Sequence, residues 1–208
     1  MTPARAVVVA LVFVVSGISA DDAHQHHMAS SAKAAAQTTV SGLQIPNVAL
    51  IDQHGNTVHF YSDLVAGKVV AINTIFTTCT TICPLMGTNF AKLKKLLGNE
   101  VGRQVFLISI SVDPAVDSPQ RLQEWSSRFG QDGPGWTLLT GSKADIDTLL
   151  KALQVFTVDK QDHAPVVLIG GEGTGDWARA SALLPPSQLA QMIDKRLRLT
   201  SSHVPQNR

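Results

Sequence analysis

Apolar residues along the chain fall into two kinds of pattern, and their alternation predicts an α/β domain. Continuous runs rich in β-branched residues predict strands at 58–60, 69–76, 104–113 and 166–170. Such runs are typical of strands buried on both faces of a sheet. Between them, apolar residues recur every three or four positions, which indicates amphipathic helices.

Residues at the ends of the predicted helices support this interpretation. Gly98 follows the first helical pattern as a stop signal, and Ser118 and Ser142 stand where N-caps of the next two helices belong. Segment 176–181 predicts an antiparallel partner for the strand at 166–170, and 187–199 predicts the last helix. We therefore expect a central mixed β-sheet flanked by helices.

The first 20 residues are typical of a signal peptide. An uncharged run at 6–20 follows Arg5, contains a compact apolar stretch and ends in small residues. The alternative is an uncleaved membrane anchor, but a spanning helix needs about 20 apolar residues and this run is shorter. We expect a periplasmic or otherwise exported protein that is soluble after cleavage and contacts a membrane only if the segment is retained.

Residues 21–42 are small and polar without apolar periodicity, which predicts a flexible leader. The leader contains His24, His26, His27 and Met28, a set that suits a soft or borderline metal. A short histidine run of this kind is equally often only solvated, so both interpretations stay open. The folded domain is then expected at 43–199, with a disordered tail at 200–208.

Composition narrows the classes of function. The chain has 208 residues, 44% of them hydrophobic, and a formal net charge of +1, so neither general disorder nor a nucleic-acid partner is indicated. Two cysteines are too few for a disulfide scaffold or a four-cysteine zinc site. In an oxidising compartment two thiols pair unless they are reduced or bound to metal. They are therefore candidates for redox chemistry or metal binding.

Cys79 and Cys83 lie between a buried strand and the first helix. The carboxyl ends of strands are where α/β sheets present chemistry, and a helix N-terminus stabilises a thiolate. A disulfide closing so short a loop would add at most roughly 2 kcal/mol of stability, so a purely structural bond is disfavoured. Two thiolates suit soft or borderline ions such as Cu(I), and reversible oxidation also remains open.

His163 is the candidate for a third ligand. It immediately precedes the strand at 166–170, which in a thioredoxin-like arrangement lies next to the strand that leads into the cysteines. A single histidine in a loop is more often a hydrogen-bonded turn residue, so its position alone does not decide its role. For His54 and His59 the sequence indicates no partner.

Three separated motifs make the chain similar to the Sco/SenC family of copper-binding proteins. They are FTTCTTICP at 76–84, SVDPAVDSP at 111–119, and Asp162-His163 followed by the strand that ends at Gly170. The combination is specific, whereas each motif alone would be weak. The resemblance extends over about residues 45–199.

The resemblance implies a thioredoxin-like fold and a part in assembling the copper centre of cytochrome c oxidase. It implies that Cys79, Cys83 and His163 bind one copper ion, as Cu(I), Cu(II) or both, and that the two cysteines also cycle through a disulfide. The implied partners are a copper-accepting protein such as an oxidase subunit and a thiol-disulfide exchange partner. Asp113 and Asp117 are expected in the loop after the third strand, close to the site. Asp113-Pro114 and Ser118-Pro119 are interpreted first as turn and helix-start residues, and contact with a partner is the weaker alternative.

Two departures from familiar patterns affect the details. Thr80 and Thr81 stand where many Sco/SenC proteins carry proline and aspartate, which concerns partner recognition more than metal binding. Ala164-Pro165 follows the histidine at the place where thioredoxin folds often have a cis-proline, and we expect a cis bond at Pro165.

Two other functions compete with copper exchange. A thiol-disulfide oxidoreductase would use the Cys79/Cys83 pair and would not need His163 as a ligand. A peroxiredoxin-like peroxidase would have a threonine three positions before its reactive cysteine, where this chain has Phe76. The copper chaperone remains the leading hypothesis.

Overall fold

The computed structural model describes residues 37–130, 133–172 and 177–202. The predicted signal peptide and the leader histidines lie outside the described residues. In the described part, the strands are β1 Gln37–Val40, β2 Ala49–Asp52, β3 Thr57–His59, β4 Val69–Ile75, β5 Val105–Ser111, β6 Trp136–Thr140, β7 Val166–Gly171 and β8 Trp177–Ser181. The α-helices are α1 Ile82–Leu97, α2 Pro119–Ser127, α3 Lys143–Ala152 and α4 Pro186–Ser202.

The strands form one mixed sheet in the order β1-β8-β7-β4-β5-β6-β2-β3. Strands β4, β5 and β6 are parallel, and β7 runs antiparallel to β4. The predicted mixed sheet flanked by helices is therefore confirmed. The register also places the start of β7 beside the end of β4, which brings the histidine and the cysteines to the same edge of the sheet.

Strand β4 lies inside the sheet, between β7 and β5, and all seven of its residues are buried. Alternate side chains of a strand point to opposite faces. Val69, Ala71 and Ile75 face a core shared with α1, α2 and α4, whereas Val70 and Ile72 face a second core that includes α3. A strand covered on both faces is a rigid base for the loop that follows it.

The helix ends follow the predicted signals. The hydroxyl of Ser118 accepts a hydrogen bond from the Arg121 N–H at 3.3 Å, and that of Ser142 accepts one from the Asp145 N–H at 3.1 Å. Gly98 ends α1 with a φ of +55°, a conformation that glycine adopts without the steric cost of a side chain. All three predicted boundaries are therefore confirmed.

The structure differs from the predicted bounds at both ends of the domain. The predicted leader, 21–42, contains β1, which pairs with β8 through its backbone while its side chains are mostly exposed. An edge strand held by backbone hydrogen bonds needs no apolar periodicity, so its sequence resembles that of a polar leader. Helix α4 continues to Ser202, into the predicted tail at 200–208.

Two local details differ from the predictions. The predicted strand at 58–60 ends at His59, and Phe60 begins a π-helical turn, Phe60–Val65, that places its ring in the core. The bond before Pro165 is trans, as are the other peptide bonds of the described residues. The carbonyl of Pro165 accepts a hydrogen bond from Ala182 N–H at 2.7 Å, so the chain is already extended beside β8 when it enters β7.

Within the described part of the chain, no helix combines the length and the apolar character needed to cross a membrane.

Candidate metal centre

The two cysteines lie in a loop and helix start that follow β4 directly. Phe76 continues the buried strand, and its carbonyl accepts a hydrogen bond from Cys79 N–H at 3.2 Å, which closes a turn. Helix α1 begins at Ile82, so Cys79 precedes the helix and Cys83 is its second residue. Cys83 is buried and Cys79 is half-buried, and both are free thiols.

The sulfur of Cys79 accepts a hydrogen bond from the helix N-terminus. The backbone N–H of Cys83 donates to Cys79 Sγ at 3.4 Å, and Thr81 Oγ1 lies 3.8 Å from the same sulfur. The first N–H groups of a helix have no partner within the helix, so an acceptor at this place is stabilised, above all an anionic one. The sulfur of Cys79 therefore receives the hydrogen bond from the helix N-terminus that its position just before the helix predicted.

The two thiols differ strongly in acidity. Partial burial alone would raise the pKa of Cys79, but hydrogen bonds from Cys83 and Thr81 outweigh it and lower the pKa to about 7. Burial raises the pKa of Cys83 to about 12, and the neighbouring Cys79 and Asp117 add to the effect, against a hydrogen bond with the Phe76 backbone. At neutral pH Cys79 is the nucleophilic sulfur and Cys83 keeps its proton.

His163 stands between a 3-10 turn, Lys160–Asp162, and strand β7. Its ring is buried, with 6% of the residue exposed, and its Nε2 lies 3.8 Å from Cys83 Sγ. Its Nδ1 lies 2.8 Å from the Lys160 carbonyl oxygen. A carbonyl only accepts hydrogen bonds, so Nδ1 carries the proton of the neutral ring and the lone pair of Nε2 faces the sulfur.

The spacing of Cys83 and His163 suits a shared metal. A metal held ~2.3 Å from sulfur and ~2.0 Å from nitrogen, as zinc is, would span two donors 3.8 Å apart with an angle of roughly 120°. Among the described residues, no group of three or more His, Cys, Asp or Glu side chains is already arranged to hold a metal ion. The sulfur of Cys79 is engaged with the helix N-terminus instead, and would have to turn to complete a set of three donors.

Asp117 holds the start of the cysteine loop through side-chain hydrogen bonds that the sequence did not indicate. It is fully buried and accepts hydrogen bonds from Thr77 N–H at 3.1 and 3.2 Å and from Thr77 Oγ1 at 2.5 Å. Its second oxygen also accepts from Ser111 Oγ at 2.6 Å, at the end of β5. Asp117 therefore links Thr77, which follows β4, to Ser111 at the end of β5. In the sequence, the aspartates of SVDPAVDSP were the available indication of this role, but a turn explained their spacing equally well.

Asp113 lies in the same turn and contacts the histidine side of the site. Its carboxylate accepts from Lys160 Nζ at 2.6 Å, and the same ammonium stands 5.4 Å from the centre of the Phe76 ring. Phe76 in turn meets the His163 ring edge to face, with 5.4 Å between centroids. Sequence patterns singled out neither Lys160 nor a contact of Phe76 with the histidine.

The other described histidines lie away from this site. His54 is in the turn between β2 and β3, where its N–H donates to Asp52 at 2.8 Å. His59, for which the sequence indicated no partner, lies 3.6 Å from the exposed carboxylate of Asp63. Strands β2 and β3 form the far edge of the sheet, separated from β4 by β5 and β6.

A mixed sheet whose central strand leads into two cysteines at a helix N-terminus defines a thioredoxin-like protein with a dithiol site. A model of the SCO1/SenC family matches residues 39–195. The chain therefore belongs to the SCO1/SenC family, as its three motifs indicated.

Individual relatives agree with this assignment. The SCO1 protein homolog of Bacillus subtilis is 32% identical over 130 residues, which cover 59% of this chain and 66% of that protein. The crystal structure of a SCO1/SenC family lipoprotein from Bacillus anthracis has a TM-score of 0.65 and 27% identity, over 78% of this chain and 97% of that one. Arabidopsis thaliana ScoI, solved with copper bound, has a TM-score of 0.62 over 76% of this chain and 99% of that one, with 24% identity, which shows a shared fold. The chain spans between 39% and 66% of the length of the curated relatives that it matches.

Proposed function

We propose that this protein is a copper chaperone that binds one copper ion through Cys79, Cys83 and His163 and passes it to a partner protein. The observation that carries the proposal is the approach of His163 Nε2 to Cys83 Sγ at 3.8 Å, with the proton of the ring held on Nδ1. A protein of the same fold has been solved with copper bound, which supports the choice of metal.

The donor set suits copper, and Cu(I) in particular. Thiolates select soft ions, imidazole suits copper in either oxidation state, and three protein donors leave room for a ligand from a partner. Cys79 is partly ionised at neutral pH because its pKa is about 7, whereas Cys83 must lose a proton when it binds metal. Copper uptake should therefore release protons and tighten as the pH rises.

The unequal exposure of the two cysteines suggests how copper could leave. Cys79 is half-buried and Cys83 is buried, so a partner thiolate reaches the metal from the side of Cys79. Cys79 can return to the helix N–H groups when it releases the ion, since that acceptor position already stabilises a free sulfur. Copper then stays in contact with at least one thiolate throughout the exchange.

Loss of the histidine tests this proposal most directly. Reduced protein should take up about one Cu(I) per chain in competition with a chromogenic chelator. His163→Ala removes a donor itself and should weaken binding by at least about 100-fold, the upper end of what loss of a group behind a ligand costs. His54→Ala is the matched control, because that histidine lies in the turn after β2 at the far edge of the sheet. Equal affinities for wild type and His163→Ala would contradict the assignment of His163.

The site of action belongs to the same proposal. The signal-peptide-like segment at 6–20 supports export to the periplasm, and membership of the SCO1/SenC family supports delivery of copper to an oxidase subunit. Cell fractionation and the copper content of cytochrome c oxidase in a deletion strain test these two points. A cytoplasmic protein, or a deletion strain with a full copper content in its oxidase, would contradict them.

The acidity difference between the cysteines favours thiol-disulfide exchange as a second function. The Cys79 thiolate would attack a partner disulfide and release one partner thiolate, and Cys83 would then lose its proton and displace the second. The partner disulfide is reduced to two thiols, and Cys79 and Cys83 are oxidised to a disulfide. Metal-free protein should reduce a test disulfide faster than free cysteine does, and Cys79→Ser should abolish the reaction. A rate equal to that of free cysteine would contradict this function.

A further inference from the structure

The turn that carries His163 is held to the rest of the site by very few polar contacts. Its own hydrogen bonds are local: Gln161 N–H donates to Asp159 at 2.9 Å, and Asp162 N–H donates to the Asp159 carbonyl at 3.1 Å. Among the described residues, the ion pair of Lys160 with Asp113 is the one hydrogen bond or ion pair that joins residues 157–162 to another loop. Lys160 is therefore the side chain that ties this turn to the loop after β5.

Lys160 is linked to the histidine directly through its backbone carbonyl and indirectly through its side chain. Its ammonium pairs with Asp113 and stands near the face of Phe76, while its backbone carbonyl accepts from His163 Nδ1. The Phe76 ring contacts His163 as well. A side chain that is anchored at its end thus fixes the carbonyl that sets the proton position on the imidazole.

The anchor of Lys160 is itself rigid. The backbone of Asp113 is held by its N–H, which donates to Ser111 Oγ at 3.0 Å, and by its carbonyl, which accepts from Val116 and Asp117 N–H at 3.0 and 2.9 Å. The Asp113 side chain is 14% exposed and that of Lys160 35%, so the pair is screened by water less than an ordinary surface pair.

We propose that Lys160 is a positioning residue for His163. Through its ion pair with Asp113 it holds the 160–162 turn so that the Lys160 carbonyl keeps the imidazole proton on Nδ1 and Nε2 faces Cys83 Sγ. The proposal rests on the proposed copper function for its consequence, because an imidazole fixed in this tautomer is ready to bind metal without rearrangement. Groups that orient a metal-binding histidine typically change metal affinity by about 10- to 100-fold when they are removed.

The first test uses metal-free protein and does not depend on copper. Nitrogen NMR of the His163 ring, above the usual pKa of histidine, should report the Nδ1-protonated tautomer in wild type. Lys160→Met keeps the apolar stem and removes the charge, and should produce a mixture of tautomers, whereas Lys160→Arg should retain the wild-type spectrum. A wild-type tautomer signal in Lys160→Met would overturn the proposal.

The second test measures Cu(I) affinity. Lys160→Met should weaken binding by about 10-fold or more, and Lys160→Arg should stay within about threefold of wild type. Asp113→Asn should cause a similar loss, and adding Lys160→Met to it should change affinity little further, because both variants break the same pair. Losses that simply multiply in the double variant would contradict action through the ion pair.

A matched control separates positioning from general effects. Lys143→Met removes an exposed ammonium that pairs with Asp147 at 2.7 Å on α3, and it should change neither the tautomer nor the affinity. Equal thermal unfolding of Lys160→Met and wild type would exclude loss of folding as the cause. If wild type binds no copper, the proposed function fails, while the tautomer measurement still decides the role of Lys160.

Discussion

The two halves of the site are built in different ways. The cysteine half is continuous with β4, buried on both faces, and is tied to β5 by the fully buried Asp117. The histidine half is a single 3-10 turn that Lys160 joins to Asp113. The cysteine loop is therefore anchored by buried hydrogen bonds at the ends of two central strands, whereas the histidine turn is anchored to the loop after β5 by one partly exposed ion pair.

Removal of Asp117 should have the largest effect on stability, because it acts on the cysteine half. Asp117→Ala leaves the donors of the half-buried Thr77 and the buried Ser111 without acceptors, so we expect a loss of about 3 kcal/mol in the free energy of unfolding, measured by chemical denaturation. Asp147→Ala, which removes the exposed partner of Lys143, should cost less than about 0.5 kcal/mol. Equal costs for the two variants would show that the cysteine loop does not depend on Asp117.

The difference in pKa between the two cysteines gives a test within the cysteine half. Since the pKa of Cys79 is about 7 and that of Cys83 about 12, iodoacetamide should modify Cys79 at least about 100-fold faster at neutral pH. The rate for Cys79 should rise with pH and level off above pH 7, as the thiol loses its proton. Mass spectrometry of Cys79→Ser and Cys83→Ser assigns each rate. A rate for Cys79 that still rises steeply above pH 9 would contradict the stabilised thiolate.

The lowered pKa of Cys79 also sets the sign of a stability change. The thiolate is stabilised only in the folded protein, so its contribution is present above the unfolded pKa of about 8.5 and is lost as the pH falls through about 7. In Cys79→Ser, this part of the pH dependence of unfolding should be absent. The same pH dependence in the variant and in wild type would assign it to another group.

The smallest expected effect concerns the contact between the halves. Phe76→Leu removes the aromatic ring that packs edge to face with the His163 ring but keeps an apolar side chain in the core. The lost ring contact should weaken Cu(I) binding by about fivefold, since such pairs contribute about 1 kcal/mol. Unchanged copper affinity would indicate that Lys160 alone positions the histidine.

Much of the fold could be predicted because local signals and packing agree. The β4 run is rich in β-branched apolar residues and is buried on both faces, and Ser118, Ser142 and Gly98 mark helix ends where the structure has them. Strand β1 could not be predicted, because pairing with β8 satisfies its backbone and leaves no trace in its side chains.

The residues of the site could be predicted more readily than the contacts that hold them in place. Cys79, Cys83 and His163 belong to recognisable motifs, and the pairing of β7 with β4 brings their segments together. The roles of Asp117 and Lys160 depend on contacts between residues 40 and 47 positions apart in the chain. Such long-range contacts have no periodicity that a single sequence reveals.

The central claim is that one copper ion is shared by the two cysteines and the histidine. X-ray absorption spectroscopy of reduced, Cu(I)-loaded protein tests it most directly, with wild type and His163→Ala compared at one copper per chain. The account predicts two sulfur donors and one nitrogen donor in wild type and loss of the nitrogen donor in the variant. The same nitrogen donor in both proteins, or a wild-type site with sulfur donors alone, would contradict it.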